Sequence, residues 1–352
     1  MNMLPAPPNG KNLQQPERYL LCRPHGGLND TLCQIEKCWK YALKSGRILL
    51  IDTRNSGLHA NFSEYFEAKE RAFRFIFDIH PETLEFLNQL SCFPFELRGK
   101  LHLMDLAIFK APNLVLKNNP RVPLTFDFSK EYEETVLVHE QYGGGKLSFD
   151  LLERLYIAPG PRALILSRIS KLDSTYCAVH VRNTDLKTNY KDLFQRILPE
   201  IRGKRVLVCS DDAAVIEYAR LNCPSEILTS SDIPDTSGVA LHQLEDREKH
   251  VIDAIVDLIA LGNAEKLYFS THTHGGVSGF SRLAAHISQN KYVIGSLLQL
   301  PNSKPTLTKW RVTLRRKQLK EYLQRAYYKV RHSKHLSAAN YAKSRSMTAS
   351  PQ

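Results

Sequence analysis

Between residues 176 and 289 the chain repeats one pattern, a short apolar run followed by a helical stretch. The runs are Tyr176 to Arg182, Arg205 to Ser210, Glu226 to Thr229 and Lys266 to Ser270. The helical stretches are Asn189 to Ile201, Ala213 to Leu221, Arg247 to Leu261 and one that begins near Phe280. Regular alternation of this kind predicts a parallel sheet with helices on both faces, because each crossover must return the chain to the same end of the sheet. In such sheets ligands sit at the carboxyl ends of the strands. Polar residues just beyond those ends are therefore the first place to look for chemistry.

The first part of the chain predicts a second unit of the same class. Tyr19 to Cys22 leads through Pro24-His25-Gly26-Gly27 into a helical stretch at about 29–44, followed by the strand Arg47 to Asp52, a β-loop-α-β unit. Pro81 to Leu90 reads as an amphipathic helix within a mixed region at 57–119, and Thr135 to His139 reads as a buried strand. The breaks at Gly143-Gly144-Gly145 and Pro159-Gly160-Pro161 place the connection between two domains. A chain of 352 residues exceeds the size at which one core stops growing. The expected organisation is a flexible N-terminus (1–18), an N-terminal α/β domain (19–155), a C-terminal α/β domain (156–308) and a basic tail (309–352).

Composition narrows the partners. A net charge of +12 implies acidic ones: nucleotide phosphates, anionic headgroups or nucleic acid. Much of the excess lies in the tail, where Arg311, Arg315, Arg316, Lys317, Lys320, Arg325, Lys329 and Arg331 are interleaved with Trp310, Tyr322, Tyr327 and Tyr328. A solvated cationic face on a terminal helix accounts for this pattern, with peripheral membrane contact as the alternative. The segment from Ser333 onward reads as disordered. Seven cysteines without zinc-type spacing read as reduced, buried thiols. Met1 to Arg18 lacks the apolar segment of a secretory signal, and no run approaches a membrane span, so the expectation is a cytoplasmic protein, optionally peripheral to a membrane. The glycosylation-type triplets Asn29-Asp30-Thr31 and Asn61-Phe62-Ser63 are then chance matches.

Three constellations carry the chemistry. His180-Val181-Arg182-Asn183-Thr184-Asp185 ends the first strand of the alternating half. Arg182 there can grip two phosphate oxygens, or it can pair with Asp185 to tie down a loop. Ser210-Asp211-Asp212 ends the next strand, where either carboxylate can cap the following helix. Ser278-Gly279-Phe280-Ser281 opens the last helix, where free N–H groups favour an anion and plain capping competes for each serine.

Together these pieces resemble the superfamily of α1,2-, α1,6- and protein O-fucosyltransferases, which includes the nodulation fucosyltransferase. His180-x-Arg182-x-Thr184-Asp185, Ser210-Asp211-Asp212 and Ser278-x-Phe280-Ser281-x-x-Ala284 are similar to its three motifs and occur in the same order. Gly26-Gly27-Leu28-Asn29, followed by a helix and the strand ending at Asp52, is similar to its opening loop, so the resemblance spans about 19–297. It implies two Rossmann-like domains facing a cleft (GT-B-like), with the nucleotide held by the C-terminal domain. It also implies an inverting, metal-independent transfer of fucose from GDP-fucose to a glycan hydroxyl, with no cofactor and no nucleic-acid partner.

Carried onto this sequence, the resemblance makes Arg182 the catalytic group that stabilises the departing GDP. His180, Asp185, Asp257, Ser278, Phe280 and Ser281 would form the nucleotide pocket, and Asp257 would read the guanine edge, with Asp253 as the alternative one turn earlier. Gly26, Gly27, Asn29 and Asp30 would form an acceptor or cleft loop. Asn183 stands where some relatives carry a second Arg, which separates this chain from the α1,6 enzymes. Competing readings are another nucleotide-sugar donor, a metal site built from His272, His274, His139 and Glu140, and a nucleic-acid-binding protein using the tail. Asp30, Asp52 and Glu140 are the carboxylates near cleft-facing ends, and none stands out as the general base.

Overall fold

The computed structural model describes residues 17–69, 75–144, 148–172, 175–184, 187–233, 247–273 and 275–300. The basic tail, Asp185 and His274 lie outside the described residues.

The chain opens with strand β1 (Tyr19–Pro24), helix α1 (Leu28–Ser45) and strand β2 (Ile48–Ile51). Gly26 turns the chain between β1 and α1 with φ of +87°, and a Cβ there would sit 2.8 Å from Asp30 Oδ2. The position thus requires glycine twice over, for conformation and for space. Gly46 closes α1 in the left-handed conformation, its N–H bonded to the Ala42 carbonyl. Short elements follow: β3 (Phe66–Ala68), β4 (Phe75–Ile76), α2 (Pro81–Asn88), β5 (Cys92–Phe93), β6 (Ala107–Lys110), β7 (Asn113–Leu116) and β8 (Asn119–Pro123). Strand β9 (Val136–Gln141) completes a five-stranded sheet of order β4-β2-β1-β9-β5, parallel throughout. β6, β7 and β8 form a separate antiparallel sheet.

The segment read as an interdomain connection is structured. It contains α3 (Phe149–Leu152), β10 (Leu155–Ile157), which pairs antiparallel with β3, and α4 (Pro159–Ile169). Pro159 starts α4 at its first turn, where the missing N–H costs nothing, so the Pro-Gly-Pro cluster opens a helix. Then come β11 (Cys177–Val181), α5 (Tyr190–Ile201), β12 (Arg205–Ser210), α6 (Ala213–Asn222), β13 (Glu226–Leu228), α7 (Arg247–Asn263), β14 (Lys266–Phe269), α8 (Gly279–Gln289) and α9 (Tyr292–Leu297). Their sheet is parallel with order β13-β12-β11-β14. The order reverses beside β11 in this sheet and beside β1 in the first, which makes β11/β14 and β1/β9 the two switch points where ligands of such sheets sit.

Side-chain alternation along β11 divides the packing. Cys177, Val179 and Val181 join the α5 and α6 layer, whereas Ala178 faces the layer of α7 and α8. That second layer continues into the first half, where Leu32 and Ile35 of α1 share one apolar cluster with Ile255, Ile259, Leu283 and Ile287. All seven cysteines are buried and none is in a disulfide. No helix among the described residues is long and apolar enough to cross a membrane.

Candidate functional site

At the end of β11 the backbone is held on both sides of Arg182. His180 precedes it, 9% exposed, with Nδ1 2.6 Å from Ser281 Oγ on α8 and its ring 5.1 Å from that of Phe280. Burial, reinforced by the Arg182 charge, pushes the imidazole down to about 3, so it is neutral at physiological pH. Asn183 and Thr184 follow, and both are tied to the end of β12. Asp211 accepts from the Asn183 N–H (2.7 Å) and the Thr184 hydroxyl (2.6 Å), while Asp212 accepts from the Asn183 side-chain amide (2.7 Å). Asp212 also caps α6 through the Ala214 N–H. The two carboxylates thus divide the roles the sequence left open: Asp212 caps the helix and Asp211 braces the Arg182 loop. Arg182 itself is half-buried.

Across the switch point stands the N-terminus of α8. Ser278 is its N-cap and accepts from the Ser281 N–H at 3.0 Å, and the two hydroxyls lie 2.9 Å apart. Ser281 therefore links the helix cap to His180. The first-turn N–H groups of Gly279 and Phe280 have no intrahelical acceptor, and the helix dipole adds positive potential there. His180, two residues before Arg182, is bonded to Ser281 in the first turn of α8, so the end of β11 and this helix N-terminus meet, and a terminus of this kind favours an anion.

The Gly-Gly-Leu-Asn loop meets the same helix end. Asn29 is 5% exposed, and neither Oδ1 nor Nδ2 of its amide has a hydrogen-bond partner. A Cβ on Gly279 would lie 2.4 Å from Asn29 Nδ2, and one on Gly144 would lie 3.0 Å from it and from Asp30 Oδ1. Both glycines are thus spaces that Asn29 fills. This seam between the β1–α1 loop and α8 was not legible in the sequence; two glycines bracketing a polar residue from three distant segments leave no local signal.

Asp257 lies on α7 beside the ends of β12 and β13. Its Oδ1 accepts from Ser230 Oγ at 2.5 Å and from Ser231 Oγ. Surrounding protein pushes the carboxyl up to about 6, against the pull of both serines. Asp253, one turn earlier, is buried and ion-paired with Arg168, which leaves Asp257 as the carboxylate of that helix near the strand ends.

The switch point of the first sheet carries a charged cluster. Arg23, 1% exposed, donates from Nε to Asp52 Oδ2 at 3.1 Å and to the carbonyls of Leu101 and Leu103. Burial pushes the Asp52 carboxyl up, but its bonds to Arg54 and Arg23 outweigh this and hold it below the usual range. Glu140 pairs with His25, Nε2 to Oε1 at 3.0 Å, and its Oε2 lies 3.9 Å from Arg23 Nη1. His139 faces the other way, with Nε2 2.7 Å from Gln34 Oε1 and Nδ1 2.7 Å from Thr125 Oγ1. Both of its ring nitrogens are thereby engaged. No cluster of metal-ligating side chains is present among the described residues.

No protein-family profile matches the chain, and no curated protein matches it by sequence. Solved structures do resemble it. The crystal structure of NodZ α-1,6-fucosyltransferase co-crystallised with GDP is similar with a TM-score of 0.52 at 19% identity, covering 76% of this chain and 92% of that one. Fucosyltransferase NodZ from Bradyrhizobium gives a TM-score of 0.49 at 19% identity over 76% and 92% of the two chains. A variant of Arabidopsis thaliana FUT1 in complex with GDP gives 0.45 at 13% identity over 83% and 70%. At such identities a likeness speaks for the fold, and the first of these comparisons carries it: the chain has the α/β fold of NodZ α-1,6-fucosyltransferase over 76% of its length.

Proposed function

We propose that the protein is a glycosyltransferase that moves a sugar, fucose, from a GDP-sugar to a glycan hydroxyl, by inverting displacement and without a divalent ion. The observation that supports this reading is the junction at the β11/β14 switch point, where His180, two residues before Arg182, bonds Ser281 at the capped N-terminus of α8. When the anomeric C–O bond breaks, negative charge collects on the β-phosphate. The Arg182 guanidinium, on a loop braced by Asp211, and the first-turn N–H groups of α8 would stabilise that charge with little reorganisation. Asp257 would accept from guanine N1–H and the exocyclic amine, contacts that adenine cannot supply. Residues 156–308 then serve as the donor domain and 19–155 as the acceptor domain, with Asn29 at their seam. NodZ, whose fold the chain shares, was co-crystallised with GDP, which supports GDP as the nucleotide of the donor.

Calorimetry with GDP, ADP and UDP, in the presence of EDTA, tests the reading. GDP should bind at least several-fold more tightly than ADP, because the half-buried Asp257 carboxylate left facing the wrong base edge costs about 1–3 kcal/mol. Equal affinities, or a requirement for Mg²⁺ or Mn²⁺, would remove it.

A further inference from the structure

The first sheet presents at its own switch point a group that the donor site does not use. His25 leaves the end of β1, and its backbone N–H donates to the Gln141 carbonyl at the end of β9 at 2.8 Å. Its side chain is 24% exposed, while that of Glu140, bonded to Nε2 at 3.0 Å, is 3% exposed. Among the described residues nothing bonds to Nδ1. The buried carboxylate is fixed in turn: Arg23 stands 3.9 Å from its other oxygen and is itself held by Asp52, which Arg54 also grips. This is the geometry of an imidazole held by a carboxylate, with one nitrogen committed and the other facing out. His25 is also close to the donor site. It lies four residues before Asn29, so their Cα atoms are at most about 14 Å apart, and Asn29 touches Gly279 at the α8 N-terminus.

We propose that His25 accepts the proton of the acceptor hydroxyl through Nδ1, and that Glu140 positions the ring; the proposal rests on the glycosyltransferase reading above. The hydroxyl oxygen forms the new bond to the anomeric carbon, and the bond from that carbon to the β-phosphate oxygen breaks, its electron pair leaving with GDP. The hydroxyl proton passes to Nδ1. The imidazolium that forms keeps its Nε2–H on the Glu140 carboxylate, which stabilises the positive charge, and later releases the proton to solvent. Of the three carboxylates near this end, two are unsuited to the task. Asp52 is fully buried between two arginines, and Glu140 is 3% exposed with Oε1 already bonded to His25.

Hydrolysis of GDP-fucose, with water as the acceptor, tests this without knowledge of the glycan. Wild-type protein should release GDP and fucose. His25→Ala should keep its melting temperature and its calorimetric affinity for GDP and lose about 10²-fold or more in kcat, the usual contribution of a general base. Added imidazole should restore part of the rate to His25→Ala. His25→Gln, which retains an amide donor toward Glu140, should stay as slow as His25→Ala. Glu140→Gln should lower kcat with an unchanged KM for GDP-fucose. Near-normal hydrolysis by His25→Ala, or a loss that imidazole does not relieve while His25→Gln recovers, overturns the assignment of His25. Wild-type protein that neither binds GDP nor consumes GDP-fucose overturns the glycosyltransferase reading itself, and His25 falls with it.

Discussion

In the proposed reading the donor chemistry turns on Arg182, and a substitution can distinguish the two roles its setting allows. If it grips the β-phosphate as charge develops, its loss falls on the transition state, and Arg182→Ala should lower kcat by about 10²–10³ with little change in melting temperature. Arg182→Lys should recover little, because an ammonium lacks the planar two-point contact. If Arg182 only secures its loop, both variants should melt early and activity should follow the folded fraction. Asp257 makes a prediction through pH. Its carboxyl titrates at about 6 in the folded protein against 3.8 ordinarily, so between these values the folded chain holds a proton that the unfolded chain has released. Stability therefore falls as pH rises through that window, and the deficit is complete above it. Asp257→Asn should raise the melting temperature at pH 7.5, and the gain should vanish near pH 4; a gain independent of pH would mean that the carboxyl is not strained by burial. In the sequence, Arg182 stood out as a charge just past a strand end, whereas Asp257, inside a helical stretch, was marked only by the family resemblance. The part played by Asp211 did not stand out, since an acid ahead of a helix reads as a cap, and only the approach of Thr184 from the neighbouring strand shows otherwise.

Elements were legible in proportion to how local their determinants are. β1, β9, β11 and β12 are buried on both faces and read as unbroken apolar runs, so their boundaries in the sequence fall within a residue or two of those in the structure. The antiparallel sheet of β6, β7 and β8 was missed, since its short strands mix Asn, Lys and Pro with apolar residues and take their order from pairing to one another. Helix α8 combines both cases. Its start at Gly279 follows from the Ser278 cap, but the reason for glycine there is tertiary: Asn29 occupies the volume of a Cβ. Gly279→Ala should therefore destabilise the protein by about 1–3 kcal/mol through overpacking, although alanine is the better helix former. Asn29 is enclosed by Gly144 on another side and has little room to swing away. The double variant Asn29→Ala, Gly279→Ala should be more stable than the sum of the two single changes requires, because the first removes what the second strikes. Additive losses in a denaturant-unfolding cycle would show that Asn29 and residue 279 are not in conflict.

On the scale of the whole molecule, two parallel sheets share an apolar cluster, beside a separate cluster in each half, and this bears on how the described part of the chain unfolds. Length, the two alternating patterns and the Gly/Pro breaks suggest two domains, and the sequence offered no means of seeing that α1 would bury its face against α7 and α8, since amphipathic periodicity shows that a face is buried and not which helix buries it. Leu32, Ile35 and Trp39 of α1 belong to the same cluster as Val251, Ile255 and Ile259 of α7 and Leu283 and Ile287 of α8. Separating the sheets would expose these side chains, each contributing about 1.5–3 kcal/mol when buried, so neither half can melt without removing much of the support of the other. Thermal unfolding should accordingly show one main transition whose calorimetric and van't Hoff enthalpies agree, which is unusual for a chain of this size. GDP bound to the second half should raise that single transition as a whole, by RT ln(1 + [L]/Kd) in free energy, and carry the first sheet with it. Two resolved transitions, of which GDP moves only one, would show that the shared cluster is a contact between independent domains and that the seam at Asn29 opens before either sheet is lost.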